Sequence, residues 1–186
     1  MARTESLMIP LGTNAPDFTL ADTISGKNVS LAEIKGAEAT LIAFICNHCP
    51  FVKHINSALI KIAKDYQARG LSVIAISSND IVQYPEDGPE HMKKNAAELG
   101  YTFPYLFDET QEVAKAYRAV CTPDFFVFDK HLQLAYRGQL DDSRPGNGIE
   151  VTGKDIRESL DLIMAGKPAH AYQKPSIGCN IKWKSA

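Results

Sequence analysis

The chain has 186 residues, enough for one domain whose core needs no staples. Hydrophobic residues make up 45% and charged residues 23%, an ordinary balance for a globular protein in water, and no run approaches the length of a membrane span. A formal net charge of −2 excludes the strongly basic surface that would point to nucleic acid or an anionic membrane as partner.

Met1 to Leu7 lacks the basic start and apolar run of a signal peptide, so a cytoplasmic location is expected. Structural disulfides are uncommon there, and of the four cysteines, Cys46, Cys49, Cys121 and Cys179, the CxxC pair is expected to serve redox chemistry or metal binding instead. Two short strands are predicted around the Ser25-Gly26 turn, one ending the run Ala15-Pro16-Asp17-Phe18-Thr19-Leu20 and one at Val29-Ser30-Leu31. Thr40 to Ile45 is continuously apolar, as a strand buried on both faces would be. From Pro50 to Arg69, Val52, Ile55, Leu59, Ile62 and Tyr66 recur at helical spacing, and Gly70 stops the helix.

Leu71 to Ser77 reads as a second buried strand. Ser78 to Gly88 reads as a solvated loop rimming a site, with its Tyr84-Pro85-Glu86-Asp87 stretch open to substrate contact. A helix from Pro89 to Gly100 and a strand at Phe103 to Phe107 follow. Asp108 and Gln111 are spaced as a capping pair for a helix over 109–118. Phe125 to Phe128 and Leu132 to Arg137 predict an antiparallel pair. Then come a Gly/Pro/Asp-rich loop over 141–153 and a helix from Lys154 to Ala165. This order predicts one α/β domain over 1–186, a mixed central β-sheet flanked by helices, with an N-terminal β extension and a C-terminal tail over 167–186.

The chemistry concentrates at Cys46-Asn47-His48-Cys49-Pro50, where the first buried strand gives way to the long helix. A sulfur there faces unpaired backbone N–H groups and the positive end of the helix dipole, which stabilise the thiolate. Spacing of three lets the second sulfur close a disulfide with the first. Cys46 is the expected exposed nucleophile and Cys49 the resolving thiol; His48, when protonated, would lower the Cys46 pKa further. Filling core is the bland alternative for such a pair. Zinc needs four ligands, and neither a second CxxC nor an HxxxH completes a set that Cys46, Cys49, His48 and His54 would begin. No metal or other cofactor is therefore expected. Cys121-Thr122-Pro123 sits just before a strand, where an X-Pro bond can be cis. Cys121 either faces the CxxC or fills core, and Cys179 is either a further redox thiol, should the tail fold over the site, or incidental to a tail packed by Ile177, Ile181 and Trp183.

With CxxC after the first core strand and Thr122-Pro123 before the hairpin, the chain resembles a thioredoxin-fold protein. Ala15-Pro16-Asp17-Phe18-Thr19-Leu20 narrows the resemblance to the alkyl hydroperoxide reductase/thiol-specific antioxidant branch. Within it the chain is similar to a peroxiredoxin-like subgroup at Cys46-Asn47-His48-Cys49-Pro50, Tyr84-Pro85-Glu86-Asp87, Phe103-Pro104-Tyr105-Leu106, Cys121 to Phe126, Arg137 to Asp142 and Ile177 to Trp183. The resemblance implies two chemistries. In thioredoxin-like oxidoreductases the first cysteine attacks and the cis-proline backbone docks substrate, which carries over to Cys46, Cys49 and Pro123, with Thr122 and Pro50 beside them. In peroxiredoxins the peroxidatic cysteine falls by position at Cys49. That family's Thr and Pro are then replaced by Cys46 and Ile42, and its peroxide-activating Arg by Thr122. Arg118, Arg137 and Arg144 would have to act from other places.

Peroxide reduction needs donors that polarise the O–O bond; disulfide exchange needs only a low-pKa thiol and a neighbour. The expected function is therefore a thiol–disulfide oxidoreductase in redox homeostasis. Its partners are protein or small-molecule thiols and disulfides and a reductant that the sequence does not specify, as it does not specify the oligomeric state. A thiol peroxidase acting on hydroperoxides is the alternative, and a thioredoxin-fold copper-binding module a second one, since soft thiolates suit Cu(I).

Overall fold

The computed structural model describes residues 3–185. Ten strands are present among them: β1 (Arg3–Glu5), β2 (Thr19–Asp22), β3 (Asn28–Ser30), β4 (Ala39–Phe44), β5 (Leu71–Ser77), β6 (Tyr105–Phe107), β7 (Cys121–Thr122), β8 (Asp124–Asp129), β9 (Leu134–Gly138) and β10 (Ile177–Asn180). The helices are α1 (Leu31–Ile34), α2 (Pro50–Gln67), α3 (Pro89–Leu99), α4 (Glu112–Tyr117) and α5 (Lys154–Met164). Seven strands form the main sheet in the order β3-β2-β6-β5-β4-β8-β9. β4, β5 and β6 run parallel, while β8 lies antiparallel beside β4 and β9 antiparallel beside β8.

β4 sits at the centre, buried at every residue. Its side chains alternate as strand geometry requires. Leu41 and Ala43 face a core built with α2, α3 and α5, and Ile42 and Phe44 face a second core with Tyr117, Phe126 and Phe128. In the second core Tyr117 packs edge-on to Phe126 and Phe128, with ring centroids 5.6 and 6.0 Å apart. Each such ring, fully buried, contributes about 1.5–3 kcal/mol of apolar transfer.

Departures from the sequence reading have local causes. α1 was not predicted: Ser30 and Glu33 set its first turn, the Ser30 N–H donating to the Glu33 carboxylate at 2.8 Å. The expected capping pair does not form, because Gln111 sits at φ 66° and spends its side-chain amide on the carbonyls of Ser78 and Lys182. Asp108 alone caps α4, accepting from the Ala114 N–H at 2.9 Å, so the helix shrinks to Glu112–Tyr117. The C-terminal tail is tied down through β10, which lies between β1 and β7 in a second, three-stranded antiparallel sheet.

Candidate active site

α2 starts at Pro50, whose ring fits the first helical position, and Cys49 is its N-cap. Cys46 follows the end of β4 after one residue, Ile45. Both sulfurs are buried, Cys46 at 2% and Cys49 at 0% exposure, so the exposed Cys46 expected from the sequence is corrected. The Thr122-Pro123 bond is cis. Thr122 reaches both cysteines: its Oγ1 lies 3.5 Å from the Cys46 sulfur, and its carbonyl oxygen 3.2 Å from that of Cys49.

The third cysteine at the site is Cys179. β10 places it opposite Thr122, and residues paired across antiparallel strands share a face. The Cys179 sulfur stands 2.9 Å from that of Cys49. Cys121 is next to Thr122 on β7 and therefore points to the other face; its sulfur lies against the Pro123 carbonyl, and burial pushes its pKa up. Of the two readings left open for Cys121, the structure supports the packed thiol.

Charge is divided unequally between the cysteines. The Cys46 thiol, the Cys179 thiol and the Val52 and Cys179 amides all favour a thiolate on Cys49, whose pKa is lowered to about 5. Burial of the sulfur favours the protonated form and is outweighed. Cys46 goes the other way: it keeps the shared proton opposite Cys49, and burial and the Asp87 carboxylate push it up further. The expectation that His48 would lower the Cys46 pKa is thus corrected. His48 Nδ1 donates to Asp87 Oδ2 at 2.6 Å, so any charge on the ring is matched by a carboxylate lying within 4.8 Å of the Cys46 sulfur. Cys179 is pushed up to about 12 by burial and by its hydrogen bond to Cys49.

Asp87 is the residue that sequence reasoning missed. Val82, Gln83, Pro85 and Glu86 of its loop are exposed as a solvated loop would be, but Asp87 itself is fully buried. Besides His48 Nδ1 it accepts from the Asn47 N–H at 2.8 Å, the His48 N–H at 3.2 Å and Asn79 Nδ2 at 2.8 Å. Tyr84 stacks on the His48 ring, with centroids 5.1 Å apart. Asn47 completes the clamp, donating to the Glu86 carbonyl and accepting from Asn95 and Tyr105. Both residues between the cysteines are anchored to this loop, which fixes where Cys46 sits. The only signal in the sequence was the Tyr84-Pro85-Glu86-Asp87 motif itself.

The arginines are committed elsewhere. Arg137, fully buried, pairs bidentately with Asp124 and lies 3.9 Å from the Phe126 ring centre. Arg144 donates to the Asp141 and Ser143 carbonyls and to Gln139. Arg118 is exposed at the end of α4. Metal ligation has a candidate trio in Cys46, His48 and Asp87. However, two donors on one zinc ion stand about 3.3 Å apart, so the 2.6 Å contact from His48 to Asp87 is that of a hydrogen bond. A cleft of about 480 Å³ lined by Glu38, Asp129, His131 and Met164 lies at the opposite end of β4 and contains no thiol.

The mixed sheet flanked by helices is that of the thioredoxin-like fold. A crystal structure of an uncharacterized conserved protein from Geobacillus kaustophilus is 60% identical, covering 100% of this chain and 98% of that one, with a TM-score of 0.98. The thiol-disulfide oxidoreductase ResA of Geobacillus thermodenitrificans is 25% identical over 86% of this chain and 82% of its own. A Mycobacterium tuberculosis protein whose name assigns it provisionally to the peroxiredoxins is 30% identical over 62% of this chain and 68% of its own. The AhpC/TSA family pattern matches residues 11–137, from the approach to β2 through the CxxC and the cis-proline to the end of β9. With that match spanning more than half of its length, the chain belongs to the AhpC/TSA family.

Proposed function

We propose that the protein is a thiol–disulfide oxidoreductase that cycles Cys46 and Cys49 between dithiol and disulfide. The observation that carries this reading is the geometry at the cis-proline: the Thr122 hydroxyl oxygen lies 3.5 Å from the Cys46 sulfur and the Thr122 carbonyl oxygen 3.2 Å from that of Cys49, so both thiols of the CxxC meet the cis bond. Cys46 lies next to the half-exposed Asn47 and His48 and is the sulfur that meets substrate. As it attacks, its proton passes to Cys49. The Cys46 thiolate displaces one substrate thiolate and forms a mixed disulfide. That leaving thiolate takes the proton from Cys49, and Cys49 then attacks the Cys46 sulfur and expels the second substrate sulfur as a thiolate, which takes a proton from water. Two electrons pass to the substrate and one disulfide forms in the protein.

The likeness to a thiol-disulfide oxidoreductase over most of both chains supports the reading. A shallow cleft lined by Phe51, His54, Pro123, Arg144 and Ile177 beside the cis-proline offers a surface for an extended substrate. The partners are disulfides and thiols, and we place the cycle in the cytoplasm, where a reductant restores the dithiol. A thiol peroxidase is the second reading, favoured by the low pKa of Cys49 and by the peroxiredoxin-named relative. Against it, Arg137 and Arg144 are bound to other groups. The deciding experiment treats the reduced protein with one equivalent of a small disulfide or of hydrogen peroxide and follows its mass. Fast loss of two hydrogens with the disulfide alone, mapped to Cys46 and Cys49, is expected. Fast loss with peroxide through a trappable sulfenic acid would replace the reading by the second one.

A further inference from the structure

Cys49 has a sulfur on either hand, Cys46 from its own loop and Cys179 from the C-terminal strand. Cys179 is not carried on a loose tail. β10 is hydrogen-bonded on both edges, to β1 and to β7. Ser176 Oγ donates to the Pro123 carbonyl at 2.7 Å, the Ile181 N–H donates to the Val120 carbonyl, and the Lys182 N–H donates to Asn79 Oδ1 at 2.8 Å. Gly178 shows how tightly the strand is seated: a Cβ there would stand 2.0 Å from the Thr122 carbonyl oxygen and 3.0 Å from the Pro123 nitrogen. Only glycine lets β10 lie against the cis-proline segment and bring the next residue's sulfur to Cys49. The AhpC/TSA match ends at residue 137, so this strand is a feature of the chain beyond the part that places it in the family.

We infer that Cys179 is a third redox thiol, and that the Cys46–Cys49 disulfide of the proposed cycle exchanges with an internal Cys49–Cys179 disulfide. The inference rests on the proposed function for the formation of the first disulfide, and it needs no further oxidant. Cys179 attacks the Cys49 sulfur; the Cys179–Cys49 bond forms, the Cys46–Cys49 bond breaks, and the electron pair leaves on Cys46, which takes up the proton that Cys179 gives up. The number of disulfides and thiols is unchanged. Holding two sulfurs 2.9 Å apart replaces an encounter by a fixed contact, which is the main requirement of exchange. Burial and the thiolate on Cys49 hold back Cys179 in the reduced protein; oxidation of Cys49 removes the second of these, and the Lys182 charge favours the Cys179 thiolate. The oxidised protein is then divided between a disulfide next to the half-exposed Asn47–His48 turn and one beneath the C-terminal strand with Cys46 free again.

The test oxidises the full chain with one equivalent of a small disulfide, alkylates it with N-ethylmaleimide at neutral pH, and maps labels and linkages by mass. A fraction carrying the label on Cys46 with Cys49 linked to Cys179 is expected, and it should grow with time as alkylation drains the exchange. In Cys179→Ala that fraction should vanish while the Cys46–Cys49 linkage persists. A label confined to Cys179 or Cys121, with Cys46–Cys49 the sole linkage, overturns the inference and leaves the proposed function standing. Absence of any disulfide at Cys49 overturns both.

Discussion

Replacing Asp87 by Asn keeps the shape of the clamp around the CxxC and removes one buried charge. An oxygen of Asp87 lies within 4.8 Å of the Cys46 sulfur. At an effective dielectric constant of about 20, a carboxylate and a thiolate at that separation repel by about 3 kcal/mol, or about two pH units. Asp87→Asn should lower the Cys46 pKa by that amount or less, since the His48 ring opposes part of the repulsion. At neutral pH this means up to ~100-fold more Cys46 thiolate. A lower-pKa sulfur is also a weaker nucleophile, with a slope of about 0.4–0.5, so the net gain in alkylation is about tenfold. The assay is iodoacetamide labelling of the reduced protein against pH, mapped to Cys46 by mass, beside a melting curve. Some stability should be lost, because His48 Nδ1 and Asn79 Nδ2 both lose the carboxylate oxygen they donate to, at about 1–3 kcal/mol each. A folded variant whose Cys46 labels within about twofold of the parent rate would refute the electrostatic account.

The thiolate on Cys49 should appear as the pH rises through about 5, as a step in ultraviolet thiolate absorbance that Cys49→Ser abolishes. A first step only near the pKa of an ordinary thiol would show that Cys49 is not the charged sulfur. Asp124→Ala leaves Arg137 charged, fully buried and without its carboxylate, at a cost of about 3–5 kcal/mol. For a domain of this size that lowers the melting temperature by about 10 °C or more, and scanning calorimetry showing a shift within about 2 °C would contradict the role of the pair. Gly178→Ala should unseat β10 from Thr122, lower the melting temperature and remove the Cys49–Cys179 linkage from the oxidised protein. Retention of that linkage at the parent level would mean that the strand does not depend on its close approach.

The elements that carry the site were legible because their signals are local. β5 runs from Leu71 to Ser77 as its apolar run predicts, and α2 and α3 start at Pro50 and Pro89; α3 ends beside Gly100, and α2 ends at Gln67, one turn before Gly70. Helical and strand periodicity are read within a few residues, and a proline or glycine ends an element by its own backbone preference. For the same reason the junction of β4 with α2, and hence the redox pair at it, stood out. The cis bond at Thr122-Pro123 matches what the motif before β8 led one to expect.

The distribution of charge and partners at that pair was decided in three dimensions. His48 was read as an activator of Cys46, but its ring is bound to Asp87, 39 residues further on, and the carboxylate reverses the expected effect. Cys179 meets Cys49 across 130 residues, through a strand of four residues too short to announce itself in a Pro-rich tail. Sequence by itself determined the α/β architecture, the CxxC and its place at a helix start, since each follows from backbone preferences and apolar spacing in neighbouring residues. Tertiary structure alone decided which neighbours push the Cys46 pKa up and the Cys49 pKa down, and that a third sulfur touches Cys49. A pKa depends on the burial, charges and donors that folding assembles around a sulfur, and those come from anywhere in the chain.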